Sequence, residues 1–175
     1  KSARNHGITR SLDSRFSNGK PWEYDIENPG FNFRLDEIRS ALGLSQMKRL
    51  NKSNDLRKKA SDYYTSQLSD VKGIITPKNS KSNENSFHLY IIRITKDFPL
   101  TRDVLFKKLL DNGIRTSVHY KPLNQFTLFK KMAKSYDKLK ISNMLYDEIL
   151  SLPMYPTIRK SDQKYVIKSI KNGII

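Results

Sequence analysis

The apolar positions fall into two rhythms, one helical and one alternating. From Asp36 onward Ile38, Leu42, Met47 and Leu50 recur near helical spacing, with Asp36 placed to cap the first turn and Lys48 and Arg49 placed where cations suit a helix end. Leu56, Ala60, Tyr63, Tyr64 and Leu68 mark a second amphipathic helix over about 55–68, closed by Gly73 and Pro77. Residues 78–86 are a polar loop, and the β-branched and aromatic run 87–94 is the strongest strand signal. Thr101 caps a helix through Asp111 with Val104, Leu105, Leu109 and Leu110 facing inward, and Asn112-Gly113 stops it. Ile114 to Tyr120 alternates as a further strand. Helices follow over 125–133 and 137–150, the latter carrying Ile141, Leu145, Ile149 and Leu150. Leu152 to Pro156 is an extended connector, and Ser161 caps a last helix to about Lys171.

The segment 1–34 behaves differently. Gly7, Gly19 and Gly30 punctuate it, Asn18-Gly19-Lys20-Pro21 and Asn28-Pro29-Gly30 read as turns, and Trp22 to Ile26 alternates like a short strand. This stretch is loop-rich with aromatic anchors. The pattern predicts two parts: 1–73, poor in strands that could pair, and 74–175, a small α/β or α+β layer domain.

Composition narrows the class. There is no cysteine among 175 residues, which excludes disulfides, thiolate nucleophiles and cysteine-based zinc sites and fits a cytoplasmic protein. No run approaches the roughly 18 apolar residues that span a bilayer, and no apolar signal region follows the N-terminus. The net charge is +16, and the excess of basic residues grows toward the C-terminus. So basic a chain invites a nucleic-acid reading. Against it, acidic residues are interleaved throughout and no block of like charges appears, so a solvated surface, or a site for anionic substrates, explains the excess better.

Candidate chemistry is sparse. No Gly-x-Ser-x-Gly turn, P-loop or Gly-x-Gly-x-x-Gly is present. His6, His88 and His119 are scattered widely along the chain, so no pair has the helical spacing of a metal site. What remains are binding groups: His119-Tyr120 at the end of a strand, Arg34 before a helix, and Asn32 in a glycine-led loop.

The order of these pieces says more than any one of them. His6-Gly7-Ile8-Thr9-Arg10 precedes Trp22-Glu23-Tyr24-Asp25-Ile26, then Gly30-Phe31-Asn32-Phe33-Arg34-Leu35-Asp36-Glu37-Ile38, then Gly113-Ile114-Arg115-Thr116-Ser117-Val118-His119-Tyr120-Lys121-Pro122, then Leu150-Ser151-Leu152-Pro153-Met154-Tyr155-Pro156. This series, from about Arg4 to the C-terminus, resembles the DegT/StrS family of sugar aminotransferases.

The resemblance implies the aspartate-aminotransferase-like fold: a large α/β domain that binds pyridoxal 5′-phosphate (PLP) and a smaller C-terminal domain. Residues 1–73 would then be the end of the large domain with the interdomain helices, and 74–175 the small domain. It implies a homodimer with active sites at the subunit interface, and transfer of an amino group from glutamate to a nucleotide-linked keto sugar. In the family the lysine that holds PLP as a Schiff base lies in a serine- and glycine-containing segment well before the His-Gly-Ile block. None of the lysines here, Lys1 included, matches it, so the expectation is a C-terminal portion inactive by itself. Asn32 matches the asparagine that crosses the dimer interface to the partner's PLP phosphate. Arg34 lies near the same pocket, with cofactor phosphate, substrate phosphate or a carboxylate as its alternatives. His119 and Tyr120 match a pair that faces the substrate; His6 is given a structural role. Asn124 stands where a second histidine is frequent. A non-catalytic sensor or binding module of the same family, and a basic nucleic-acid-binding protein, are the rival readings.

Overall fold

The computed structural model describes residues 2–9, 12–17, 22–78, 85–132 and 139–173. The turn expected at Asn18-Gly19-Lys20-Pro21, most of the polar loop and the junction between the helices expected at 125–133 and 137–150 lie outside them. The chain divides into two compact units, Lys1–Arg49 and Leu50–Ile175.

Among its described residues the first unit holds the α-helices α1 (Leu12–Ser17) and α2 (Glu37–Met47). Asp36 caps α2 as its sequence predicts: its carboxylate accepts the Arg39 N–H at 2.8 Å. Arg39 also pairs with Asp36, 3.1 Å from Nε to carboxylate. Trp22 to Ile26 forms no continuous strand; only Ile26 bridges, to Ile8. The alternation is present, but an alternating strand needs a sheet to bury its apolar face, and Trp22, Tyr24 and Ile26 are all exposed.

The second unit is a three-stranded antiparallel sheet with helices packed on it. α3 (Leu50–Leu68) begins earlier than its apolar positions suggest and belongs to this unit, where it packs on α7 (Lys160–Lys171). The compact unit therefore starts at Leu50, ahead of the strands. β1 (Ile74–Ile75) pairs with β2 (Tyr90–Ile94), Ile74 opposite Ile94. β2 pairs with β3 (Ile149–Leu152), Tyr90 opposite Leu152 and Ile92 opposite Leu150. α4 (Arg102–Asp111) packs on α7 and β3. α5 (Thr127–Met132) and α6 (Lys140–Glu148) follow, α6 against β2.

The core is built where the two rhythms meet. Tyr90, Ile92 and Ile94 are the buried alternate positions of β2, and they gather with Tyr64 and Leu68 of α3, Leu105 and Leu109 of α4, Leu150 and Leu152 of β3, and Val166, Ile167 and Ile170 of α7. Two tyrosines keep their hydroxyls satisfied inside it: Tyr64 donates to the Pro153 carbonyl at 3.1 Å, and Tyr90 shares a 2.8 Å hydrogen bond with Thr65. Burial pushes the Tyr64 phenol far above its usual range and lifts Tyr90 to about 12.

Local signals specify both ends of α4. Thr101 caps it, and Asn112-Gly113 ends it with Gly113 at φ +74°. There the Gly113 and Ile114 N–H groups return to Leu110 and Leu109 at 2.8 Å each, a closed glycine terminus. Val104 and Leu110 face outward, however, while Leu105, Leu109 and the stem of Arg102 are buried. Three strand expectations shift. The 87–94 run pairs only from Tyr90. Ile114 to Tyr120 makes a single bridge, Ser117 to Ser151. Ile149 and Leu150, which continue a helical period, are strand: the ladder to β2 overrides the local pattern. Ser161 lies in the first turn of α7, and Arg159 holds the cap position.

Candidate functional site

The residues singled out for cofactor and substrate fall into two clusters, one in each unit. In the first unit the His-Gly-Ile block and the Gly-Phe-Asn-Phe-Arg block are one structural object. Asn5 bridges Asn32 antiparallel. The His6 N–H donates to the Phe31 carbonyl at 3.0 Å, Phe31 to Ala3 at 2.7 Å and Phe33 to Arg4 at 2.8 Å. Two glycines allow this closeness. A Cβ on Gly30 would lie 1.9 Å from the Gly7 nitrogen, and one on Gly7, at φ +76°, would lie 2.0 Å from the Asn28 carbonyl oxygen. His6 itself sits at φ +58°, and its side chain is exposed. Its contribution to the cluster is this turn of the backbone.

The clamp presents Asn32 and Arg34 outward. Phe31 and Phe33 stack on each other at 4.9 Å, so the alternate residues Asn32 and Arg34 share the opposite side of the extended segment. The Arg34 Nε donates to the Asn5 side-chain oxygen at 2.9 Å. Its two terminal nitrogens, and the Asn32 amide, have no partner among the described residues. A neutral amide and a guanidinium free of carboxylates are a donor set suited to phosphate oxygens. Asn5 is the residue that sequence reasoning missed. It lies opposite Asn32 in the bridge and holds Arg34 by its side chain, and its place directly before His6-Gly7 was the available signal.

In the second unit His119 and Tyr120 end the segment that bridges β3. The His119 Nδ1 lies 2.8 Å from the Ser151 hydroxyl, and the His119 and Tyr120 rings meet edge to face at 4.8 Å. His119 is half-buried, whereas Tyr120 is 74% exposed. Lys121 continues the strip, its ammonium 5.2 Å from the Phe126 ring centre. The Asn124 amide donates to the Asn143 side-chain oxygen at 3.3 Å, and Gln125 donates to the same oxygen at 3.0 Å. Among the described residues no group of three or more His, Asp or Glu side chains converges as a metal site would require.

A family model described as the DegT/DnrJ/EryC1/StrS aminotransferase family matches residues 1–171. The chain belongs to this family. It is 29% identical over 171 residues to the spore coat polysaccharide biosynthesis protein SpsC of Bacillus subtilis, covering 95% of this chain and 44% of SpsC. It is 30% identical over 163 residues to a UDP-4-amino-4,6-dideoxy-N-acetyl-beta-L-altrosamine transaminase of Campylobacter jejuni, covering 93% and 41%. Its fold matches that of Helicobacter pylori PseC, an aminotransferase involved in the biosynthesis of pseudoaminic acid, at a TM-score of 0.82 and 26% identity, over 99% of this chain and 44% of PseC. The chain thus spans less than half the length of these relatives. The solved members include a PLP-form structure, so PLP is the family's cofactor. The resemblance drawn from ordered motifs is the family the comparison finds, and the α/β architecture is that of its solved members.

Proposed function

We propose that this chain is part of a PLP-dependent aminotransferase that transfers an amino group from glutamate to a nucleotide-linked keto sugar, in amino-sugar or surface polysaccharide biosynthesis. It works in the cytoplasm as a homodimer with its active site at the subunit interface. Residues 1–73 close the large domain and carry the interdomain helices, and 74–175 form the small domain. What supports this reading most is the family match over residues 1–171, which includes every motif that carries a candidate site residue. No described helix is long and apolar enough to cross a membrane.

Each residue has a task suited to its chemistry. Asn32 donates from a neutral amide to a phosphate oxygen of PLP, adding a hydrogen bond without adding charge. Arg34, fixed through Nε by Asn5, offers its terminal nitrogens to a phosphate of cofactor or substrate. His119 and Tyr120 contact the sugar nucleotide. When bound, PLP supplies the electron sink for the amino transfer, and the protein supplies position and charge. No residue among 1–175 is assigned as the lysine that holds it.

The test is an assay of the purified natural gene product for glutamate-dependent amination of nucleotide-linked keto sugars. N32A should weaken PLP retention by roughly tenfold, the size of one hydrogen bond to a charged group. Sugar amination absent from a PLP-loaded preparation across UDP- and dTDP-linked keto sugars would sink the functional reading. Unchanged PLP affinity in N32A would remove Asn32 from the cofactor site.

A further inference from the structure

The Ser151 hydroxyl is a second feature that motif order did not disclose. Ser151 is the third residue of β3 and is 4% exposed. Its backbone is fully engaged: its N–H donates to the Ser117 carbonyl at 2.8 Å, and its carbonyl accepts the Ser117 N–H at 3.2 Å. On its other side it lies opposite Ile91 of β2. Pairing on both sides fixes the direction of its Cα–Cβ bond, and the contact with His119 holds the hydroxyl. Among the described residues its hydroxyl has one partner, the His119 Nδ1 at 2.8 Å.

That single partner decides the proton arrangement. A hydroxyl carries one proton and accepts through lone pairs. If Nδ1 carried the imidazole proton and donated it to Ser151, the buried Ser151 O–H would be left without an acceptor. If Ser151 donates to Nδ1, both groups are satisfied, and a neutral imidazole then keeps its proton on Nε2. The Nε2 has no partner among the described residues, and the Tyr120 ring meets the imidazole edge to face at 4.8 Å. We infer that Ser151 is a positioning residue that fixes His119 as the Nε2–H tautomer, so that His119 presents Nε2–H to its ligand as a hydrogen-bond donor and not as a base. The ligand atom it selects is an oxygen acceptor, a sugar hydroxyl or a phosphate oxygen. The part of this inference that concerns substrate rests on the function proposed above; the tautomer does not.

The experiment separates the two. Long-range proton–nitrogen spectra of the full chain labelled with ¹⁵N-histidine, recorded at a pH where the rings are neutral, should show His119 as the Nε2–H tautomer. S151A should give a mixture of tautomers, with circular dichroism reporting that its fold is kept. An Nδ1–H tautomer in the unmutated chain overturns the inference whether or not S151A folds, and so does a tautomer unmoved in a folded S151A. In the transamination assay S151A should raise KM for the sugar nucleotide roughly two- to tenfold with kcat retained, the pattern of a lost binding contact. A fall in kcat with KM unchanged would mark His119 as a base and overturn the donor role. H119A with both constants unchanged would instead remove His119 from the substrate site, leaving the spectra to decide the tautomer.

Discussion

At the scale of single residues, Arg102 carries more structure than its surface-type side chain suggests. It is buried, and its Nη1 donates to the carbonyls of Tyr146 at 2.8 Å and Ile149 at 3.1 Å, where α6 ends and β3 begins. Its Nε pairs with Asp103 at 2.6 Å, and its guanidinium lies 5.4 Å from the Tyr146 ring centre. Two charged hydrogen bonds to helix-end carbonyls should contribute about 2–3 kcal/mol. R102A should lose about that much stability in urea titration, and R102K should recover little of it, because an ammonium lacks the flat fork that reaches both carbonyls and Asp103. Tyr90 gives a second test, through pH. Its phenol ionises near 10 when unfolded and is raised to about 12 by burial in the fold. The folded state therefore holds this proton where the unfolded state has lost it. Its contribution is complete below pH 10 and falls by up to about 1.4 kcal/mol per unit as pH rises from 10 toward 12. Thermal melts from pH 8 to 11 should show Y90F less stable than the parent at pH 8, through loss of the Thr65 hydrogen bond, with the gap narrowing above pH 10.

At the scale of elements, the pairing of the His-Gly-Ile and Gly-Phe-Asn-Phe-Arg blocks turns on two glycines. A methyl group placed 1.9 Å from the Gly7 nitrogen must push the two segments apart, at a cost of about 1–3 kcal/mol. G30A should speed hydrogen exchange at the His6, Phe31 and Phe33 amides by roughly tenfold or more, while amides of β2 keep their protection. Protection unchanged at those three amides would show that the segments are not held by this contact. The motifs themselves were legible because they are local strings. The reason they travel together was not, since Gly7 and Gly30 are far apart in the sequence and meet only in the fold. The same division runs through the whole chain. Caps and stops at Asp36, Thr101 and Gly113 could be read because their partners are near neighbours in the sequence. β1 and β3 could not. Ile74-Ile75 is too short to show a period, and Ile149-Leu150 fits a helix until β2, a distant stretch of chain, pairs with it. Asn32, Arg34, His119 and Tyr120 were singled out as candidates through motif order; Asn5 and Ser151, which contact Arg34 and His119, appear only when the chain is folded.

At the scale of the whole molecule, the two units differ in what holds them. Every core side chain comes from the second unit, from Ala60 to Ile170, and among the described residues of Lys1–Arg49 no apolar side chain is buried. Apolar burial is the dominant favourable term in folding, so the first unit rests on backbone hydrogen bonds and close glycine contacts that contribute little net stability in water. Heat or denaturant should then report the second unit almost alone. A chain of residues 50–175 should melt within a few degrees of the full chain, because its core is left intact. Its calorimetric enthalpy should scale with the second unit's length. The candidate cofactor residues Asn32 and Arg34 would be lost from it, while the His119–Ser151 contact would persist and remain readable by its tautomer. A truncated chain that fails to fold would show that the first unit supplies core stability after all. A midpoint preserved together with the His119 signal would place the structural core and the His119–Ser151 contact in one independently folding body.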